Sequence, residues 1–225
     1  MTGRQLALGL AFRPQLGRDD FVVAPGNAQA IGWIDAWPNW PQGGLVLYGP
    51  PAAGKSHLVC IWQKAAGARV VATAALSESA VADLSLAPLA LEDAPGIGDE
   101  KALLHLLNML RERKREVLIT AANAPARWPL KLPDLRSRLL ALPAVAVAAP
   151  DDALLRGVLA KLFADRQMHV GEEVLDYILT HAERSLANAR ALVAAIDDAA
   201  MATQRKVGVA LVREVLQTFH AENVG

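Results

Sequence analysis

An α/β fold is predicted: a five-stranded parallel sheet flanked by helices, followed by a small all-helical lid. Three observations predict it. The first is Gly49-Pro50-Pro51-Ala52-Ala53-Gly54-Lys55-Ser56, a G-x-x-x-x-G-K-S phosphate loop (P-loop). An apolar run, Leu45 to Tyr48, precedes it, and Leu58, Ile61 and Trp62 follow at helical spacing. The second is the alternation of short apolar runs with helical patterns up to Val147. The third is the change at Pro150-Asp151-Asp152, after which no strand pattern recurs and four helices are expected near 151–166, 171–182, 185–203 and 208–221. Residues 1–20 are expected to form a tail, 21–149 the α/β domain and 150–225 the helical domain.

The phosphate loop needs these residue types. Its glycines let backbone N–H groups wrap an anion, and the helix that follows presents its positive end. Lys55 can reach outer phosphates, and the Ser56 hydroxyl can hold Mg²⁺. A chance Gly-rich turn would lack the strand before and the helix after.

Composition sets bounds. Lys+Arg and Asp+Glu both number 23, so the net charge is zero and nothing pulls the whole chain toward nucleic acid or acidic membranes. Cys60 is the single cysteine, which excludes an internal disulfide and suits a reducing compartment; a buried apolar thiol is expected. No apolar run reaches the ~18 residues that span a bilayer, and the N-terminus lacks a signal-peptide pattern, so a cytoplasmic protein is expected.

Along the chain, Gln5-Leu6-Ala7-Leu8-Gly9-Leu10 places Leu6, Leu8 and Leu10 on one side when extended. Such a tail docks in an apolar groove of a partner or packs on its own domain. Asn27 is expected to cap a helix to about Trp37, with Ala30, Ile31, Ile34 and Trp37 on one face. Arg69 to Thr73 reads as a strand and Leu76 to Leu84 as a short helix. Leu86 to Leu91 reads as a strand that delivers Glu92-Asp93, either as one acid for Mg²⁺ and one for water or as an acidic first turn of a helix. Asp99 to Lys114 is a helix with Leu103, Leu106, Leu107 and Leu110 inside. Its last turn carries Arg111, Arg113, Lys114 and Arg115, a solvated cationic end or a partner contact. His105 has no companion at metal spacing and reads as structural.

Val117 to Ala121 is the fourth strand, ending near Asn123, which would lie beside the phosphates in a parallel sheet. Pro133 to Leu140 is a short helix whose Arg136 and Arg138 either form surface ion pairs or reach a neighbour's phosphate. Ala144 to Val147 is the fifth strand. Arg190, one turn into the third lid helix, is either solvated or folds back onto nucleotide. The tryptophans are not interleaved with a basic stripe, so stacking on bases is not suggested.

A phosphate-loop domain with a helical lid resembles the AAA+ ATPases. Phe21-Val22-Val23 with Asn27, Arg136-Ser137-Arg138-Leu139, and Asn188-Ala189-Arg190 resemble the opening segment, box VII and sensor 2 of the replication initiator DnaA. Gln5 to Leu10 resembles the peptide that binds the DNA polymerase sliding clamp. The sequence stops at Gly225 without the initiator's DNA-binding domain. That combination resembles the Hda family of DnaA-related regulatory inactivators.

The resemblance implies roles. Gln5, Leu6, Leu8 and Leu10 would dock on the clamp. Gly49, Pro50, Pro51, Ala52, Ala53, Gly54, Lys55, Ser56, His57 and Arg190 would hold an adenine nucleotide, ADP or ATP, with Val22 and Val23 near the base. Ser56 and Glu92 would hold Mg²⁺. Asp93, Asn123 and Arg138 would be catalytic, Arg138 as a finger at the ATP of DnaA, with Arg136 the weaker candidate. The implied activity is negative control of initiation by stimulating DnaA to hydrolyse ATP. DNA would be met only through the clamp, and a homo-oligomer is compatible with the family. The order Glu92-Asp93 departs from the usual Asp-Glu and shortens the second acid by one methylene, so weak intrinsic hydrolysis is expected. Two other readings stand beside it: a self-hydrolysing loader-type ATPase, and a module that sequesters DnaA without hydrolysis.

Overall fold

A computed structural model describes residues 17–94 and 98–222, without the side chains of the last three of these. Five strands form one parallel sheet: β1 (Gly44–Tyr48), β2 (Arg69–Ala72), β3 (Leu89–Ala94), β4 (Val117–Ala121) and β5 (Ala144–Ala146). Their order across the sheet is β2-β3-β4-β1-β5. β1 thus lies between β4 and β5, with Tyr48 level with Ala121.

Side chains alternate along each strand, and the two faces collect separate cores. Leu45 and Leu47 of β1, Leu118 of β4 and Val145 of β5 pack under α1 (Ala28–Asp35) and α2 (Lys55–Ala66). Val46, Val117 and Ile119 face the other way, toward α3 (Glu78–Leu84), α4 (Glu100–Glu112) and α5 (Pro133–Leu140). Trp62 of α2 is fully buried and stacks on Trp40 with ring centroids 5.2 Å apart. Leu103, Leu106, Leu107 and Leu110 of α4 are buried, as their spacing predicts.

Four helices follow: α6 (Asp152–Asp165), α7 (Glu172–His181), α8 (Leu186–Thr203) and α9 (Val209–Glu222). Asp151 caps α6 by accepting from Leu154 N at 2.8 Å, and Ser185 caps α8 by accepting from Asn188 N at 3.0 Å. Each satisfies a first-turn N–H that has no partner inside the helix. The main core of this portion includes Phe163, Val174, Ile178, Leu192, Val193 and Val212.

Several expectations are corrected. Asn27 stands at the start of α1 but its side chain does not cap it. Oδ1 accepts from Ala24 N at 2.8 Å and Nδ2 donates to Val22 O at 3.0 Å. Asn27 is buried, so its amide finds partners in the preceding segment rather than in the helix. α1 stops at Asp35, short of Trp37, because Pro38 disfavours helical backbone before it. β3 starts at Leu89, not Leu86, since Ser85 to Pro88 form a turn and Leu86 is 59% exposed. Cys60 is half-buried, with burial pushing its thiol pKa up.

Candidate functional site: the phosphate loop and its surroundings

The site begins where β1 ends. Gly49 N donates to Ala121 O at 3.1 Å, and Val147 N donates to Tyr48 O at 2.7 Å, so the chain leaves β1 pinned from both sides. A Cβ on Gly49 would lie 2.0 Å from Val147 O, and this close approach requires glycine. Gly54 then adopts φ +100° at the start of α2, a conformation that disfavours any side chain. Leu186 of α8 sits over it, 3.3 Å from where a Cβ would be, so the helical portion closes directly on the loop.

Four charged or polar side chains converge. Lys55 Nζ donates to the carbonyls of Gly49 and Pro50, both at 2.7 Å. Burial lowers the Lys55 pKa, while the nearby charges of Asp93 and Glu92 push it up. Ser56 Oγ donates to Glu92 Oε1 at 2.9 Å. A hydroxyl beside a carboxylate is a pair of oxygens suited to a hard divalent cation.

The acidic pair is aimed by its backbone. The register between β3 and β4 shifts between Leu91 and Ala94, and Asp93 takes the left-handed φ of +63°. Thr73 Oγ1 donates to Glu92 O at 2.6 Å, and Asp93 N donates to Thr120 Oγ1 at 3.3 Å. Sequence reading overlooked both threonines. Thr120 breaks the apolar run Val117 to Ile119, and a buried hydroxyl at a strand's C-terminal end was the available signal. The pair ends a strand rather than opening a helix.

Asn123 lies exposed, two residues past the end of β4. β4 separates β3 from β1, so this turn lies between the acidic pair and the phosphate loop. The Asn123 carbonyl accepts from Trp128 Nε1 at 2.8 Å, which fixes the turn.

Arg190 folds toward the loop, but its contact is a protein group. Its Nη2 lies 2.9 Å from Nδ1 of His57, the residue after Ser56. His57 Nε2 lies 3.1 Å from Gly17 O, and Phe21 meets the imidazole edge-on at 5.2 Å between centroids. A carbonyl only accepts, so Nε2 carries the proton and Nδ1 accepts from Arg190. Burial lowers the His57 pKa most; the Gly17 bond opposes this and Arg190 reinforces it. Burial also lowers the Arg190 pKa.

The segment 17–24 links both portions of the chain. Arg18 pairs with Asp35 of α1 through two hydrogen bonds, at 3.0 and 2.9 Å. Asp20 lies 3.5 Å from Lys161 of α6. Val22 packs against the small cluster of Leu154, Leu155, Val158 and Leu186, whereas Val23 is 51% exposed. Gln5, Leu6, Leu8 and Leu10 lie outside the described residues.

Arg138 stands apart from this site. It is half-buried on α5 and lines a groove with Gly43, before β1, and Val117, at the start of β4. That is the opposite end of the sheet from Gly49. The length of β1 alone puts about 16 Å between the two ends, at ~3.3 Å per residue. Arg136 is exposed, with Nη2 3.4 Å from Ala126 O.

Residues 152–216 match the family described as the Hda lid domain. In structure the chain is similar to domain III of the replication initiation protein DnaA from Thermotoga maritima, with TM-score 0.75, 17% identity, and coverage of 92% of this chain and 98% of that one. It is also similar to AMPPCP-bound DnaA from Aquifex aeolicus, with TM-score 0.69, 16% identity, and coverage of 82% and 65%. The Thermotoga maritima RuvB Holliday junction branch migration motor is similar at TM-score 0.64, 15% identity, and coverage of 78% and 61%. No curated protein matches the chain in sequence. These likenesses establish the fold as the AAA+ type, an α/β phosphate-loop domain followed by a helical lid. Among the described residues, no helix is long and apolar enough to cross a membrane.

Proposed function

We propose, from the premise that this is an Hda-like, DnaA-related AAA+ protein, that it restrains replication initiation by making DnaA hydrolyse its ATP. The observation that carries the reading is the position of Arg138. This cation lies at the far end of the sheet from its own phosphate loop, too distant to serve it. A guanidinium so placed suits a neighbour's nucleotide, where it would stabilise charge on the transferring phosphoryl group, a contribution of about 10³-fold or more in comparable NTPases.

The chain's own loop takes a supporting part. Its residues fit a Mg²⁺–adenine nucleotide: the backbone N–H groups from Ala52 to Ser56 and the Lys55 ammonium suit phosphates, and Ser56 with Glu92 suits Mg²⁺. Val22 would flank the base from the junction between the two portions. Arg190, now on His57, would turn toward a phosphate when nucleotide binds, and so set the lid's angle. Asp93 is short and sits on left-handed backbone, and Asn123 faces the same end of the sheet; weak intrinsic turnover follows. Gln5, Leu6, Leu8 and Leu10 would tether the protein to the sliding clamp, and through it to DNA.

The test is ATP hydrolysis by DnaA, with and without this protein, in the presence of clamp and DNA. Wild type is expected to stimulate it and Arg138→Ala to lose most of the stimulation while still binding the clamp. Equal stimulation by Arg138→Ala overturns the finger. Association with DnaA without any hydrolysis supports sequestration instead, and rapid turnover without DnaA supports a loader-type ATPase.

A further inference from the structure

The cationic end of α4 sorts into two kinds of arginine. Arg113 turns toward α3, donating to Ala82 O at 3.1 Å and Ser85 Oγ at 2.7 Å. Arg111 and Arg115 instead line the groove that holds Arg138, an open cavity of about 420 Å³. Among the described residues, none of these three guanidiniums has an ion pair or hydrogen bond. Asp134 is the only carboxylate on the described lining, a local excess of two positive charges (three minus one) in a chain of zero net charge. Four other arginines form ion pairs: Arg18 with Asp35, Arg69 with Asp83, Arg156 with Asp176 and Arg205 with Glu214.

The same lining holds Leu104, Leu107, Leu110 and Leu142. An occupant that brings carboxylates and an apolar side chain would complement the cavity's charge and its leucines.

We propose that this groove seats an acidic segment with an apolar side chain, contributed by the AAA+ subunit whose nucleotide Arg138 serves. The proposal rests on the trans reading of Arg138 given above. Arg111 and Arg115 pair the segment's carboxylates, and the lining leucines take its apolar residue. The division of labour is specific: Arg111 and Arg115 govern association, and Arg138 governs the rate once associated. Cations at a rim act through encounter and register and are weakened by salt.

The test titrates full-length protein against ATP-bound DnaA, with clamp and DNA, and reads both half-saturation and maximal stimulated rate. Arg111→Glu combined with Arg115→Glu is expected to raise the half-saturating concentration about 10-fold or more, with the maximal rate kept within about twofold. The shift shrinks at high salt, and Arg111→Lys with Arg115→Lys keeps most of the affinity. A Gln pair, expected to give a smaller shift, replaces the Glu pair if the latter fails to fold. Unchanged half-saturation in folded variants overturns the proposal. So does loss of duplex oligonucleotide binding with DnaA association intact, which would assign the cations to phosphates. If Arg138→Ala still stimulates while the Glu pair shifts association, the finger falls and the groove stands.

Discussion

Arg190 and His57 lie 133 positions apart in the chain, yet Nη2 of the first sits 2.9 Å from Nδ1 of the second. The contact joins α8 to the first turn of α2, and His57 passes it on to the Gly17 carbonyl. One neutral tautomer satisfies both bonds, so protonating the ring breaks the arrangement.

The pH dependence follows from that. The folded His57 pKa lies below its ordinary value of about 6.5, so the unfolded chain binds the proton more readily. This contribution to stability is complete above about pH 6.5 and declines as pH falls through the folded pKa. Asp20 opposes the shift and Lys64 adds to it. Chemical denaturation of wild type and His57→Gln at a series of pH values checks this: wild type should lose stability below about pH 6.5, and the variant should show a flatter slope.

The aim of Glu92 depends on Thr73. Thr73→Val removes the 2.6 Å bond to the Glu92 carbonyl, at an expected cost of about 0.5–1.5 kcal/mol in a urea titration. Calorimetry should show weaker Mg²⁺-dependent nucleotide binding. A Mg²⁺ dependence equal to wild type would show that Glu92 does not act through this bond.

Backbone conformation separates two substitutions of Asp93. At φ +63°, Asp93→Val should destabilise the protein by about 1–2 kcal/mol, whereas Asp93→Gly should be near neutral. Thermal melts of the two variants check it. Equal losses would mean that the side chain, not the backbone, sets the stability here.

Gly49→Ala tests the exit from β1. The methyl would fall 2.0 Å from Val147 O, so β1 and β5 must move apart, at an expected cost of about 2–3 kcal/mol. The variant should melt well below wild type. An unchanged melting temperature would contradict the close packing of the loop on β5.

Lys55→Ala should retain the fold and lose nucleotide. Among the described residues its side chain bonds only to the Gly49 and Pro50 carbonyls, so removing it leaves the core intact. Affinity for ADP should fall at least about 10-fold by calorimetry, the loss of one charge-assisted contact to phosphate.

Much of this architecture was legible because the signals are local. The apolar run before Gly49, the glycines and Lys55-Ser56 declare strand, loop and helix within twenty residues. The five strands and the helices from α2 onward follow from periodicity, because a two-faced sheet and one-sided helices must alternate their apolar residues. Asn27 shows where local reading ends. The same residue can cap a helix or staple the segment before it, and burial of Val22 against α6 and α8 favoured the second.

What the chain's order alone determined was the phosphate loop, the acidic pair and the succession of elements, because each is written in neighbouring residues. Tertiary structure decided which groups meet. It put Arg190 on His57, Thr73 and Thr120 behind the acids, and Arg138 with Arg111 and Arg115 at the far end of the sheet. Strand order and helix packing set those juxtapositions, and they join positions tens to more than a hundred residues apart, beyond the reach of any local pattern.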